Sequence, residues 1–163
     1  MRLLTAGLVV AALSVALVVH LTAGSRAGQP APALPVRMLA GPQTSLVTLR
    51  GEPVLIEFFA SWCGPCVDEA GTVRRAERAL RGHARLIAVD WSDNRDSALA
   101  FLARFHWSFP VLFDPVGTAG YAYGIQGLPT AFVLDAQGRL VRRLVGPQTL
   151  ASLRQAAAGA THT

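Results

Sequence analysis

Hydrophobic and polar positions change period several times along the chain, and each period predicts a different element. Residues 3–23, LLTAGLVVAALSVALVVHLTA, form one long apolar block whose only ionisable side chain is His20. As a helix those residues would be about 31 Å long, enough to cross a hydrocarbon core of roughly 30 Å. Residues 24–36, GSRAGQPAPALPV, have no apolar period and the Gly/Pro/Ser/Ala content of a tether. Residues 36–39 and 45–49 read as a short β-hairpin across Gly41-Pro42. Residues 53–59, PVLIEFF, are an almost continuous apolar run, as in a strand covered on both faces. A helix is expected from about Gly64 to Arg81, and another buried strand at 85–90, RLIAVD. A second helix is expected over 97–106, capped by Asn94 or Asp96. A short strand at 110–113, a short helix at 116–123 and two strands joined at Ala136-Gln137-Gly138 follow, then a helix over 149–158. Strands alternating with helices, closed by a hairpin, indicate an α/β sheet covered on both faces with an antiparallel portion.

Four segments result: an apolar block at 1–23, a linker at 24–33, a domain at 34–158 and a tail at 159–163. The apolar block suits an uncleaved membrane anchor better than a cleaved signal, whose core is usually ~7–15 residues and ends in a small-x-small site. No cysteine follows it, which excludes a lipoprotein anchor. Arg2 favours a cytoplasmic N-terminus and an exported domain.

Charge adds little. Net charge is +5 with no lysine. Residues 27–163 hold 13 Arg against 10 acidic residues. The densest run, Arg74, Arg75, Arg78 and Arg81, contains Glu77 and reads as a solvated helix face, not a nucleic-acid patch.

The candidate chemistry lies in FFASWCGPC. The chain has two cysteines, Cys63 and Cys66, with two residues between them. Zinc needs about four ligands, and the next histidines, His83 and His106, lie far apart in sequence. A structural disulfide this local would constrain the unfolded chain little. A redox couple explains more. Cys63 falls between a strand and a helix, so its sulfur would sit at a helix N-terminus. There, free N–H groups and the helix dipole stabilise a thiolate, the attacking species in thiol–disulfide exchange. Cys66, one turn on, could resolve the mixed disulfide. Pro65 lies in the first turn, where its missing N–H is harmless.

These residues resemble the thioredoxin fold, specifically the membrane-anchored extracytoplasmic TlpA/ResA/DsbE–CcmG group. The resemblance covers roughly residues 31–157. It rests on FFASWCGPC and on VLFDPVGTAGYAYGIQGLPTAFVLDAQGRLVRRLVG at their spacing. It implies a thioredoxin fold, Cys63 as exposed nucleophile, Cys66 as resolving thiol, and Trp62 as the ring that covers the active-site edge, with Trp62, Gly64 and Pro65 among the substrate-binding residues. It also implies a cis-proline loop at Gly127-Leu128-Pro129-Thr130, with Pro129 facing the cysteines and the Leu128 backbone pairing with substrate. No cofactor is implied beyond the Cys63–Cys66 couple. The implied partners are exported clients with disulfides, apocytochrome c among them, and a membrane dithiol donor. Localisation would be a single-pass anchor with the domain on the periplasmic side. Two positions depart from the group: Gly71 stands where a kinking proline is usual, and Glu57 where many members have Asn.

Glu57 should be buried, with its pKa raised, and is the candidate acceptor for the Cys66 proton. Glu69, three residues after Cys66 and expected to be more exposed, is the rival. Gly64-Pro65 resembles reducing thioredoxins. The leading function is therefore an extracytoplasmic thiol–disulfide reductase. Its alternatives are an oxidant or isomerase of the same fold, or a non-enzymatic metal-delivery or docking module.

Overall fold

The computed structural model describes residues 27–35 and 37–162. The apolar block at 3–23, and the anchor read from it, lie outside the described residues. Among the described residues, no helix is long and apolar enough to cross a membrane.

The described residues form one six-stranded mixed sheet with strands in the order β1-β4-β3-β2-β5-β6. In chain order these are β1 (Met38–Ala40), β2 (Val54–Phe59), β3 (Arg85–Trp91), β4 (Val111–Asp114), β5 (Thr130–Leu134) and β6 (Leu140–Val145). The helices are α1 (Gly64–Leu80), α2 (Arg95–Phe105), α3 (Thr118–Ala122) and α4 (Leu150–Gly159), followed by a 3-10 turn at Ala160–His162. β3 lies parallel to β2 and β4, and the other pairings are antiparallel. The α/β reading holds, with element ends shifted by a residue or two.

The apolar runs at β2, β3 and β5 are central or flanked strands, so both their faces are covered. β2 is buried at all six positions. Leu55 and Phe59 face a core built with Ala70, Val73 and Leu80 of α1, Phe101 and Leu102 of α2, and Leu153 of α4. Ile56 and Phe58 face the opposite core with Ile87, Val89, Tyr123 and Phe132. Alternation along a strand produces this division.

The expected N-terminal hairpin does not form. β1 pairs with β4 instead, Met38 opposite Leu112 and Ala40 opposite Val111. Gly41, at φ +77°, turns the chain where its Cα packs against the Phe109–Pro110 backbone, leaving no room for a side chain. Residues 45–49 close turns on themselves. The amide of Ser45 donates to Thr48 Oγ1 at 3.0 Å and that of Leu49 to the Ser45 carbonyl at 3.2 Å. Hydroxyl side chains that bond nearby backbone compete with strand formation.

The second half of the expected tether is docked. Pro30 bridges to Arg139, the Ala31 amide donates to the Gly138 carbonyl at 3.0 Å, and Tyr123 Oη donates to the Pro32 carbonyl at 2.9 Å. Ala31 and Leu34 pack on the Tyr123 core. At the other end, Ala160 is buried beside Val133 and Ala156.

Candidate active site

The site lies at the C-terminal edge of β2, where the strand gives way to α1. Cys63 is the residue that caps α1, with φ −83° and ψ 105°, and it is disulfide-bonded to Cys66. Its Sγ accepts the Cys66 amide at 3.2 Å, and its carbonyl accepts the Cys66 and Val67 amides at 3.1 Å each. The sulfur thus occupies the place a serine or aspartate takes at an ordinary helix start, among amides that favour negative charge. Pro65 sits in the first turn.

The residues around the pair differ in exposure. Cys63 and Cys66 are 5% and 3% exposed, so in the disulfide state the expected exposed nucleophile is nearly covered. Gly64 and Pro65 are exposed, and Trp62 is 59% exposed. The Trp62 indole is held by its Nε1–H, which donates to the Ser92 carbonyl at 3.0 Å. The Leu128–Pro129 peptide is cis, with Gly127 exposed, Leu128 half-buried and Pro129 buried. Leu128 packs on the core that contains both cysteines. Thr130 Oγ1 donates to the Gly127 carbonyl at 2.8 Å, and the Gly146 amide to the Pro129 carbonyl at 2.9 Å. α1 runs unbroken through Gly71. One turn of it is held from outside, because Trp107 Nε1–H donates to the Ala70 carbonyl at 3.0 Å.

Both glutamates lie under the disulfide helix, and the expected contrast in their exposure is absent. Glu57 is 2% and Glu69 4% exposed. Glu69 is one turn past Cys66, at a spacing that places the two on one helix face. Its Oε1 accepts the Gln148 amide at 2.8 Å, while its Oε2 and that of Glu57 are buried without a hydrogen bond. Burial pushes Glu69 up to about 7, and the Gln148 amide offsets part of that rise. Burial, and then the charge of Glu69, hold Glu57 well above the ordinary carboxyl range. Burial thus favours the protonated acid at both positions, and at Glu69 the Gln148 amide opposes it.

A second acidic group was not singled out from the sequence. Asp90, at the end of β3, is 0% exposed, and Asp93 beyond it accepts the Ser61 amide on Oδ2 at 2.6 Å. The signal available was an acid ending the apolar run RLIAVD, just as Glu57 interrupts PVLIEFF.

A shallow recess of about 280 Å³ opens beside the disulfide, lined by Ser61, Val67, Ser97, Phe101, Arg104 and Phe105. Larger ones, of about 520 and 530 Å³, adjoin the far end of α1 around Arg81 and Leu80. An exposed rim suits a macromolecular substrate better than a small one enclosed in a pocket. Among the described residues, no group of three or more His, Cys, Asp or Glu is placed to hold a metal ion.

Comparison with known proteins places this geometry in context. The profile of the family described as Redoxin matches residues 26–157. The thiol:disulfide interchange protein DsbE of Allochromatium vinosum is 35% identical over 122 residues, covering 73% of this chain and 66% of the relative. The thiol:disulfide interchange protein CycY of Rhizobium leguminosarum bv. viciae is 32% identical over 115 residues, covering 70% of this chain and 61% of the relative. The chain thus spans slightly less than two thirds of either relative. The crystal structure of a putative thiol:disulfide interchange protein DsbE from Chlorobium tepidum superposes with a TM-score of 0.74 at 29% identity, covering 84% of this chain and 99% of that one.

Proposed function

The chain belongs to the redoxin family, and from that premise we propose that it is a thiol–disulfide oxidoreductase that reduces disulfides of exported proteins. The observation that carries this reading is Cys63 Sγ, which caps α1 and is joined to a Cys66 whose neighbour one turn on is the buried Glu69.

The reaction starts from the dithiol. The Cys63 thiolate attacks one sulfur of a client disulfide; a Cys63–client bond forms, and the other client sulfur leaves as thiolate. Capping of α1 favours the thiolate before attack. The Cys66 thiol then passes its proton to Glu69 and attacks Cys63 Sγ. The Cys63–client bond breaks, the second client thiolate leaves, and the Cys63–Cys66 disulfide remains. Two electrons have moved to the client. Return to the dithiol requires two electrons from a donor, for which a membrane dithiol carrier is the proposed source. Trp62 and the Gly127–Pro129 loop are the proposed client contacts. Among the described residues, the Leu128 N–H and carbonyl make no hydrogen bond within the chain, which leaves them for an extended client segment.

The same reading places the domain outside the cytoplasm on an N-terminal anchor, with apocytochrome c as one candidate client. Its support is the apolar block at 3–23 and the resemblance to the anchored group.

A redox titration of Cys63/Cys66 tests the direction. The potential should lie nearer that of thioredoxin, about −270 mV, than that of the oxidant DsbA, about −120 mV. A value on the oxidant side would assign the protein to disulfide formation instead.

A further inference from the structure

Acidic and basic residues are distributed unequally between the interior and the surface. Six of the ten acids, Glu57, Glu69, Asp90, Asp93, Asp114 and Asp135, are buried, whereas none of the 13 arginines in residues 27–163 is. The surface is therefore more basic than the formal charge indicates. Of the other four acids, Glu77 is paired with Arg81 and Glu52 with Arg85, and Asp68 and Asp96 lie on α1 and α2. No such partner faces β6 and the turn before it. Arg139 and Arg142 are exposed and form no ion pair or side-chain hydrogen bond among the described residues. Arg143, also exposed, gives one donor to the Gly124 carbonyl and keeps the rest.

The same edge strand receives the chain from the apolar block. The Gly28 amide donates to the Leu140 carbonyl at 2.6 Å, the Leu140 amide donates to the Gln29 carbonyl at 2.8 Å, and Pro30 bridges to Arg139. Four residues, 24–27, separate Ala23 from Gly28 in sequence. Fully extended, that stretch spans at most about 18 Å. With residues 3–23 in a bilayer, the outer edge of β6 is thus kept within reach of the headgroups. A recess of about 140 Å³ opens where the chain arrives, lined by Ala27, Phe132, Leu140, Val141, Arg142 and Arg143. Its walls are apolar apart from two guanidinium groups, whose planar forks match phosphate oxygens.

We propose that this face of β6 is a docking surface for anionic phospholipids of the leaflet from which the domain projects. A headgroup phosphate seats in the recess against Arg142 and Arg143, and Arg139 adds attraction along the same edge. β6 runs parallel to β2, because each is antiparallel to β5. Leu140 therefore lies at the end of β6 away from the cysteines, and Gly146, bonded to the Pro129 carbonyl, lies at theirs. Seating at Leu140 holds the Cys63–Cys66 edge about 17 Å from the point where the chain arrives, the length of β6 at ~3.3 Å per residue. Docking rests on the anchored reading of residues 3–23 and not on the thiol chemistry.

The full chain, reconstituted in nanodiscs of phosphatidylcholine alone or mixed with phosphatidylglycerol, tests this by amide hydrogen exchange. At about 0.05 M salt, exchange of residues 139–146 should be about fivefold or more slower in the anionic discs, and the difference should vanish near 0.5 M, where the screening length is only a few ångströms. The slowing should be lost in Arg142→Gln/Arg143→Gln and kept in Arg74→Gln/Arg78→Gln, which removes two arginines of α1. Equal exchange in the two kinds of disc would overturn docking and leave the anchor standing. Slowing that survives in Arg142→Gln/Arg143→Gln, or that is lost in Arg74→Gln/Arg78→Gln, would overturn it as well. A chain that enters neither kind of disc would count against the anchor, and docking would fall with it. Should the β6 double variant not fold, Arg142→Gln alone decides, since its side chain bonds nothing within the described residues; an undiminished slowing there overturns the site.

Discussion

The two faces of the sheet are built from the same strands and solve different problems. On one, Ile56, Phe58, Val89 and Phe132 meet Tyr123 in a hydrocarbon and aromatic core. Phe58 lies 5.1 Å from the Tyr123 ring and 5.8 Å from that of Phe132. On this face Tyr123 Oη donates to the Pro32 carbonyl, and Asp114 Oδ2 accepts the Gly120 amide. On the other face, one residue further along β2 and β3, stand Glu57 and Asp90. Buried carboxyl oxygens without a hydrogen bond belong to Glu57, Glu69 and Asp90. Burying such groups costs several kcal/mol in an apolar medium, so they stay protonated or become poised near neutrality. The comparison teaches that both faces carry an apolar core and that, among the described residues, the buried acids without a hydrogen bond fall on the face beneath α1, which gives up some stability to hold them.

The sharpest way to break this division is to open a cavity on the apolar face. Phe58→Ala should cost about 3–5 kcal/mol in chemical denaturation. That cost should be the same at pH 5 and pH 8, since no titrating group is touched. A strongly pH-dependent loss would show that the two faces are coupled.

On the other face, Glu69→Gln should slow resolution of the mixed disulfide by on the order of a hundredfold while leaving its formation nearly unchanged. Gln keeps the carbonyl that accepts the Gln148 amide. In the wild type, resolution should rise with pH through about 7, as Glu69 loses its proton and becomes able to accept another. Stopped-flow kinetics with a disulfide peptide separate the two steps. A defect in Glu57→Gln alone would return the role to Glu57.

Stability offers a third comparison. Glu57 binds its proton more tightly folded than unfolded, so the folded state holds more protons above pH ~4.5 and wild-type stability falls as pH rises toward the folded pKa. Glu57→Gln removes that dependence. Its stability relative to wild type should therefore grow by at most about 1.4 kcal/mol per pH unit from about pH 5 upward, and be small near pH 4. Denaturation curves at three pH values check this, and a gain that shrinks with pH would have the wrong sign. The smallest effect is expected at Arg143, which covers the outside of the apolar face, 5.6 Å from the Phe132 ring centroid, and donates to the Gly124 carbonyl at 2.9 Å. Arg143→Ala should cost about 0.5–1 kcal/mol, as exposed cation–π contacts do.

The sequence alone determined most of the architecture and the centre of the site. Period and turn residues located β2 through β6 and the four helices, because an apolar run or a helical stripe needs no partner to be recognised. Two cysteines at a helix start marked the candidate nucleophile for the same local reason. Only the tertiary structure decided what depended on a partner distant in sequence. β1 chose β4 over residues 45–49, because Gly41 turns the chain toward Pro110 and the hydroxyls of Ser45 and Thr48 close their own turn. Glu69 became buried and poised because Gln148, 79 residues away, closes over it. Asp93 reached the Ser61 amide because parallel pairing of β2 and β3 brings their C-terminal ends together. Burial and long-range hydrogen bonds set a carboxyl's protonation, and neither is written in the residues beside it.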